Sequence, residues 1–150
     1  MMGWFRNNTA QIEAGAAVVT ALVAVAALVG VKLQLDAADE IQRAQSARDA
    51  YRAHLALAVA HPALADPVDA CALIGSRNGA SYAAFVDHLL YSAEQMLTVD
   101  PSWESTFAEE LEPHRAYMCS SVVSISYDAA MEPFITRFLA EGCDEVPVCE

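Results

Sequence analysis

Residues 14–31, AGAAVVTALVAVAALVGV, form an apolar run of eighteen residues without a charged side chain, bounded by Glu13 and Lys32. At about 1.5 Å rise per residue, a helix of this length covers roughly 27 Å, close to the ~30 Å hydrocarbon core of a bilayer. A few more residues can extend the helix, because the Lys32 side chain is long enough to reach the polar interface. The run predicts one transmembrane helix over residues 14–35, after an N-terminal tail of residues 1–13.

A cleaved signal peptide is the alternative interpretation of this run. The apolar core of a signal peptide is usually about 7 to 15 residues long, shorter than the run. The residues before it carry a single Arg and one acid, and no small-residue cleavage site with suitable flanks follows it. We therefore expect a retained membrane anchor.

Small residues recur within the run at intervals of four. Ala16, Thr20 and Ala24 form one such series, and Ala26 and Gly30 form another. Small side chains at this spacing allow a second transmembrane helix to approach closely, although abundant alanine also produces the spacing by chance. The expected partner is a transmembrane helix of a larger membrane complex, or a second copy of this chain, within the lipid bilayer.

The residues after the run predict a small helical domain. No Gly or Pro stands between Gly30 and Pro62, so the span is expected to continue as helix to about Ala60. Alanine is abundant and the β-branched residues lie mostly in the run, which favours helix over strand. The predicted fold is all-α: a single N-terminal transmembrane helix that continues into a three- to four-helix soluble domain, residues 36–141, followed by an acidic Cys-containing tail, residues 142–150.

Further helices are indicated by spacing and caps. A second helix over residues 81–98 has the clearest amphipathic pattern, with these apolar positions: Tyr82, Phe85, Val86, Leu89, Leu90, Ala93, Met96 and Leu97. Asp100 and Pro101 supply an N-cap and a first-turn proline for a third helix, which Pro113 ends or restarts. A fourth helix over residues 129–141 buries the following side chains: Met131, Phe134, Ile135, Phe138 and Leu139.

The remaining segments carry weaker signals. Residues 62–79 are predicted to be a turn-rich connector with one helical turn near residues 70–73, and residues 120–127 to be a loop. The acids of the third helix are expected to face solvent. The first helix is expected to present one face, composed of Ala37, Ile41, Ala44, Arg48, Tyr51, Leu55 and Ala58, with Leu57 and Val59 also entering the core. Arg48 on this face predicts a partner carboxylate, Asp87 or Glu94.

The charge balance restricts the partners. The chain has 8 basic and 20 acidic residues, a formal charge of -12, and every acid except Glu13 follows the apolar run. Nucleic acids and anionic lipid headgroups are bound mainly through Lys and Arg, so an acidic surface disfavours both. We expect no nucleic-acid binding and a basic protein surface as the complement.

Four cysteines follow the run and permit three disulfide pairings. The favoured pairing joins Cys143 to Cys149 across a short loop and Cys71 to Cys119. Disulfides predict an oxidising compartment, whereas the count of basic residues flanking the span leans toward a cytoplasmic domain with reduced thiols. We expect the domain to be extracytoplasmic, with the cytoplasmic orientation as the alternative.

Motifs that carry chemistry are missing from the sequence. His54, His61, His88 and His114 lack the spacing that places two metal ligands on one helix face, and Cys119 lies five residues from His114, too far around a helix to pair. There is no haem, nucleotide or hydrolase motif. We expect no enzymatic activity, no cofactor and no metal.

Three segments resemble a loosely defined group of small bacterial membrane-anchored helical proteins of unknown function. They are RDAYRAHLALAVAHPALADP (residues 48–67), YAAFVDHLLYSAEQML (residues 82–97), and Trp103 followed by PHRAYMCS (residues 113–120). The resemblance implies a helical domain anchored in a bacterial inner membrane, and with the cysteines it places that domain in the periplasm. It implies no catalytic residue.

Two functions are compatible with these features. The first is a structural or accessory single-pass subunit, whose span docks on a larger membrane complex while its acidic domain meets a basic partner. The alternative is a membrane-anchored sensor or small-ligand-binding domain with a pocket near four aromatic residues, Tyr51, Tyr82, Trp103 and Tyr117.

Overall fold

The computed structural model describes residues 9–120, 128–144, 146 and 149. The chain divides into two compact units, one that ends at Gln42 and one that begins at Arg43. The described residues are helical and contain no strand, which confirms the all-helical prediction for this part of the chain.

Helix α1, Thr9–Ala60, is continuous over 52 residues and ends where the sequence predicted. The absence of Gly and Pro after Gly30 accounts for its length, since both residues interrupt helices. Its N-terminal part contains an 18-residue window with a mean hydropathy of 2.4, none of it buried. Among the described helices it alone is long and apolar enough to cross a bilayer.

The second unit contains the C-terminal part of α1 and a series of shorter helices. They are α2 Pro62–Ala65, α3 Ala70–Ile74, α4 Gly79–Val99, a 3-10 turn Pro101–Trp103, α5 Glu104–Leu111, a second 3-10 turn Glu112–His114, α6 Arg115–Met118 and α7 Glu132–Ala140. The predicted helical turn in the connector is therefore present as α3. Residues 121–127, most of the predicted loop, lie outside the described residues.

Helix α4 supplies the largest share of the hydrophobic core. All eight apolar positions predicted for this helix are buried, from fully enclosed Tyr82 and Val86 to Leu97 at 7% exposure. A spacing of three and four residues places these side chains on one side of a helix, where they pack against the rest of the domain.

The segment from α4 to α5 follows its capping signals. The Asp100 carboxylate accepts a hydrogen bond from the Ser102 amide at 3.0 Å, and Pro101 occupies the first turn. Phe107 and Leu111 of α5 are fully buried. Pro113 lies in the 3-10 turn that separates α5 from α6, as the predicted restart requires.

At two positions the buried residue of α1 is the one that precedes the predicted residue in the sequence. Ala47 and His54 are buried, at 1% and 3% exposure, whereas Arg48 is exposed and Leu55 is 41% exposed. Leu57 and Val59, which were expected to enter the core, are also exposed, at 37% and 84%. The predicted face is confirmed at Tyr51 and Ala58, which pack against the core. It is wrong at Arg48 and Leu55, because Ala47 and His54 occupy the buried positions next to them.

Helix α7 closes the core from the C-terminal side. Phe134, Ile135 and Phe138 are buried as predicted, although the helix begins three residues later than expected, at Glu132. Arg115 of α6 donates to the Phe138 carbonyl oxygen at 2.8 Å, and its guanidinium lies 4.1 Å from the centre of the Phe138 ring. This contact attaches α7 to α6.

Two disulfides join the C-terminal segment to the domain. Cys71 is bonded to Cys149 and Cys119 to Cys143, with Cα–Cα distances of 4.9 and 5.5 Å. The favoured pairing, Cys143 with Cys149 and Cys71 with Cys119, is wrong. Closeness in sequence suggested the short loop, whereas the chain end returns to α3, where Cys149 is 5% exposed.

Candidate functional site

The small residues of the apolar run lie on the surface of α1. Ala16, Thr20, Ala24 and Ala26 are exposed and Gly30 is partly exposed. At about 100° of rotation per residue, the five cover a sector of about 160°, with one series on each side of its centre. The Thr20 hydroxyl donates to the Ala16 carbonyl oxygen at 2.9 Å, so its polar group is satisfied within the helix. A surface of this kind suits an apolar environment.

Large apolar side chains lie around these small residues, and three of them, Val19, Val23 and Val31, lie within the same sector. Each of the following is more than half exposed: Val18, Val19, Leu22, Val23, Val25, Leu28, Val29, Val31, Leu33 and Leu35. At the end of the run Lys32 pairs with Asp36 at 3.0 Å, and both side chains are exposed. The run is therefore apolar on all its sides and is bounded by a charged pair.

A second feature lies in the second unit, where polar side chains line a small cavity that is partly open to the surface. His54 of α1, Glu110 of α5 and His114 of the following 3-10 turn line a space of about 210 Å³. The rest of the wall is apolar and consists of Leu55, Ala58, Ala65, Phe85, Leu89 and Pro113. Buried polar groups are usually hydrogen-bonded, so the bonding of these three side chains indicates what the cavity can do.

His54 has an unused ring nitrogen. Its Nδ1 atom is buried and has no hydrogen-bond partner among the described residues. The ring packs against Phe85, at 4.8 Å between centroids, and stacks on His88 at 5.7 Å. Burial, with a smaller effect of His88, lowers the pKa of His54 to about 4. The imidazole is therefore neutral near pH 7.

His114 is enclosed and already bonded. Its Nδ1 atom shares a hydrogen bond of 2.9 Å with the Tyr82 hydroxyl, and the two residues are 1% and 0% exposed. Burial, followed by a weaker effect of His54, lowers the pKa of His114 to about 4. Burial also raises the pKa of Tyr82. Both members of this pair are neutral near pH 7.

Glu110 is the half-buried acid of this cavity. The Tyr51 hydroxyl donates to Glu110 Oε1, whereas Oε2 is buried without a partner among the described residues. Burial raises the pKa of Glu110, and the Tyr51 hydrogen bond opposes that effect. Burial and then the hydrogen bond to Glu110 raise the pKa of Tyr51. The prediction that the acids of this helix face solvent was therefore wrong for Glu110.

A larger cavity of about 810 Å³ adjoins the small one at Phe85, which lines both. His88 lies in its wall, and the buried His88 Nδ1 has no partner among the described residues. The other wall residues are Leu57, Ala60, His61, Pro62, Ala63, Leu64, Asn78, Ser81 and Ala84. Of the two stacked rings, His54 thus lines the small cavity and His88 lines the larger one.

The four aromatic residues of the predicted pocket pack into two groups. Tyr51 contacts Trp103 edge to face at 5.3 Å, and Tyr82 lies 5.3 Å from Tyr117. None of the four rings lines the small cavity itself, although the Tyr51 and Tyr82 hydroxyls bond to Glu110 and His114 in its wall. The small cavity lies beside them and is lined by the histidines and Glu110 instead.

Arg48 has a different neighbour from those predicted. It is exposed, and it contributes to a lowered pKa of Asp100, after the larger effect of the hydrogen bonds to Ser102. Glu94 accepts a hydrogen bond from the Asp128 amide at 3.1 Å. Pairing of Arg48 with a buried carboxylate was predicted because Arg48 was assigned to the buried face, which Ala47 occupies.

The part of the chain that the structure describes contains no group of three His, Cys, Asp or Glu side chains that could hold a metal ion. Cys119 is disulfide-bonded to Cys143, and Nδ1 of His114 bonds to Tyr82, so these two residues serve separate contacts. The sequence missed Glu110 and His54 as site residues. The spacing of residues 47, 51, 54 and 58 could have placed His54 on the buried face of α1. No sequence pattern distinguishes Glu110 from the exposed acids beside it.

Comparison with protein-family models, curated proteins and solved structures finds no match to this chain.

Proposed function

We propose that the protein is a structural or accessory subunit of a larger membrane complex. The observation that carries this proposal is the N-terminal part of α1, which is apolar on all its sides and has no buried residue in its most apolar window. Lipid can cover such a surface, and a second helix can replace lipid where small side chains allow close contact.

The surface proposed for docking is the sector that contains Ala16, Thr20, Ala24, Ala26 and Gly30. A β-carbon added at Gly30 would meet no atom within 4 Å, so the structure leaves space there for a partner helix. The satisfied Thr20 hydroxyl costs nothing to bury in lipid or against another helix.

The proposed location is a bacterial inner membrane, with the domain in the periplasm. Two disulfides support an oxidising compartment, because cytosolic thiols are kept reduced. The acidic domain, in a chain with a formal charge of -12, favours a basic protein surface as its partner.

Replacement of Ala16, Thr20 and Ala24 with Leu tests the docking surface. The three leucines add bulk at the small positions, so a partner helix cannot approach closely there. We expect a stoichiometric partner to co-purify with the natural chain in mild detergent and to be lost from the triple variant, which stays in the membrane fraction.

The matched control replaces Ala17, Ala21 and Val25 with Leu. These residues have the same spacing but lie about 100° further around the helix. The control is expected to retain the partner. Equal retention by both triple variants, or purification of the natural chain without any stoichiometric partner, would contradict the proposed function.

A further inference from the structure

We propose that the small cavity lined by His54, Glu110 and His114 binds a small primary amine in its ammonium form. This site goes beyond the docking function of the apolar helix. It lies within the second unit, between α1, α4 and α5, and none of its residues belongs to the apolar run.

Charge is the first argument. Glu110 brings a half-buried carboxylate into the cavity, and its one hydrogen-bond partner among the described residues is the Tyr51 hydroxyl, which carries no charge. Both histidines are neutral near pH 7 because burial disfavours their protonated forms. An ionised carboxylate in such a setting is stabilised by a cation.

Hydrogen bonding is the second argument. Glu110 Oε2 and His54 Nδ1 are buried without a partner among the described residues, and an unsatisfied buried polar atom is unfavourable. An ammonium group has three N–H donors. In the proposed complex it donates to Oε2 or, when the His54 proton is on the other ring nitrogen, to Nδ1. His114 Nδ1 needs no donor from the ligand, since it already bonds to Tyr82.

The walls limit the rest of the ligand. Leu55, Ala58, Phe85 and Leu89 present apolar surface, which suits an aliphatic or aromatic tail. A cavity of about 150 Å³ can hold a benzene molecule, so about 210 Å³ accommodates an amine of that size. The ligand class is therefore a short primary amine with an apolar tail.

Calorimetric titration of the full chain in mild detergent with n-butylamine tests this site. n-Butanol has a similar shape without the charge, and butyrate has the opposite charge. A charge-assisted hydrogen bond contributes about 1.5–3 kcal/mol, so we expect n-butanol and butyrate to bind at least about 10-fold more weakly than n-butylamine.

Two pairs of variants locate the amine. Glu110→Gln keeps an oxygen for Tyr51 but removes the charge, and it is expected to weaken n-butylamine at least about 10-fold. Glu109→Gln removes a charge from the exposed neighbouring residue and should not change the affinity. Ala58→Leu fills the cavity and should abolish binding, whereas Ala56→Leu, at an exposed position of the same helix, should not.

Several results would overturn the proposal. They are equal affinity for n-butanol, undiminished binding by Glu110→Gln, equal effects within either variant pair, Zn²⁺ bound in place of the amine, or no binding at all. Tighter binding of N-acetyl-lysine methylamide than of n-butylamine would assign the ammonium to a partner protein instead. If circular dichroism shows that Glu110→Gln does not fold, the comparison of Ala58→Leu with Ala56→Leu tests whether the amine binds in the cavity. The variant with leucines at positions 16, 20 and 24 should bind the amine normally, which separates this site from the docking function.

Discussion

The titratable side chains around the small cavity respond to burial in opposite directions. His54 and His114 have pKa values lowered to about 4, because burial disfavours the charged imidazolium. Glu110 has a raised pKa, because burial disfavours the charged carboxylate. The consequence for stability depends on which state binds more protons at a given pH.

We expect the domain to lose stability as the pH falls from about 6.5 to about 4. Above pH 6.5 both histidines are neutral in the folded and unfolded states. Between about pH 6.5 and pH 4 the two histidines are protonated in the unfolded state but remain neutral in the folded state. The free energy of unfolding therefore falls by at most about 1.4 kcal/mol per histidine for each pH unit. Glu110 opposes this trend, because its raised pKa makes the folded state the better proton acceptor in acid.

His54→Phe isolates one of these contributions. Phenylalanine keeps a ring beside Phe85 and His88 but cannot be protonated. Thermal melting between pH 7.5 and 4.5 should show a smaller loss of stability than in the natural chain. His61→Phe, at an exposed position, is the control and should keep the original slope. An unchanged slope in His54→Phe would contradict the assignment.

At the scale of an element, the junction between α3 and α4 depends on a close backbone approach. Asp69 caps α3 by accepting a hydrogen bond from the Ala72 amide at 2.9 Å. Gly79 begins α4 and is buried directly against the backbone of Ile74, the last residue of α3. A side chain has no room there, because the neighbour is backbone and not a flexible side chain.

Gly79→Ala is therefore expected to destabilise the domain by about 1–3 kcal/mol, the usual cost of overpacking. The matched control is Gly75→Ala, four residues earlier, where the added β-carbon would lie at an ordinary 3.6 Å from the Cys71 carbonyl oxygen. We expect Gly75→Ala to change the unfolding free energy by less than about 0.5 kcal/mol. Chemical denaturation of both variants measures the difference in unfolding free energy. Equal stability of the two variants would show that the α3–α4 junction can rearrange to accommodate a side chain, which would contradict the prediction.

At the scale of the whole domain, the two disulfides close loops of different length. Cys71 and Cys149 are 78 residues apart in sequence, and Cys119 and Cys143 are 24 apart. A cross-link restricts the unfolded chain more when the loop is longer. The Cys71–Cys149 bond, which attaches the C-terminal segment to α3, is therefore expected to contribute more to the stability of the domain than the Cys119–Cys143 bond.

Paired serine substitutions test this order. Loss of the Cys71–Cys149 bond is expected to cost about 4.5 kcal/mol and loss of the Cys119–Cys143 bond about 3.5 kcal/mol, from the entropy of loop closure. Denaturation of the two double variants under the same conditions compares them directly. Peptide mapping without reductant should recover the same two pairs from the natural chain. A peptide linking Cys143 to Cys149 would contradict the fold of the C-terminal segment.

Features that depend on interactions between neighbouring residues could be predicted from the sequence. The apolar run, the continuous helix to Ala60, the buried face of α4 and the cap at Asp100 follow from spacing, propensity and local hydrogen bonds. Each can be read within a few turns of helix, because the interacting groups are close along the chain.

Contacts between segments that are distant along the chain could not be predicted in this way. Cysteine pairing depends on where the chain end returns, so Cys149 bonds to Cys71 and not to its neighbour Cys143. The packing face of α1 depends on which residues lie opposite it, and in the folded domain Ala47 and His54 are the buried residues of this helix. Glu110 resembles its exposed neighbours in sequence. Its burial beside Tyr51 is a property of the assembled core, and it leaves Oε2 without a hydrogen-bond partner among the described residues.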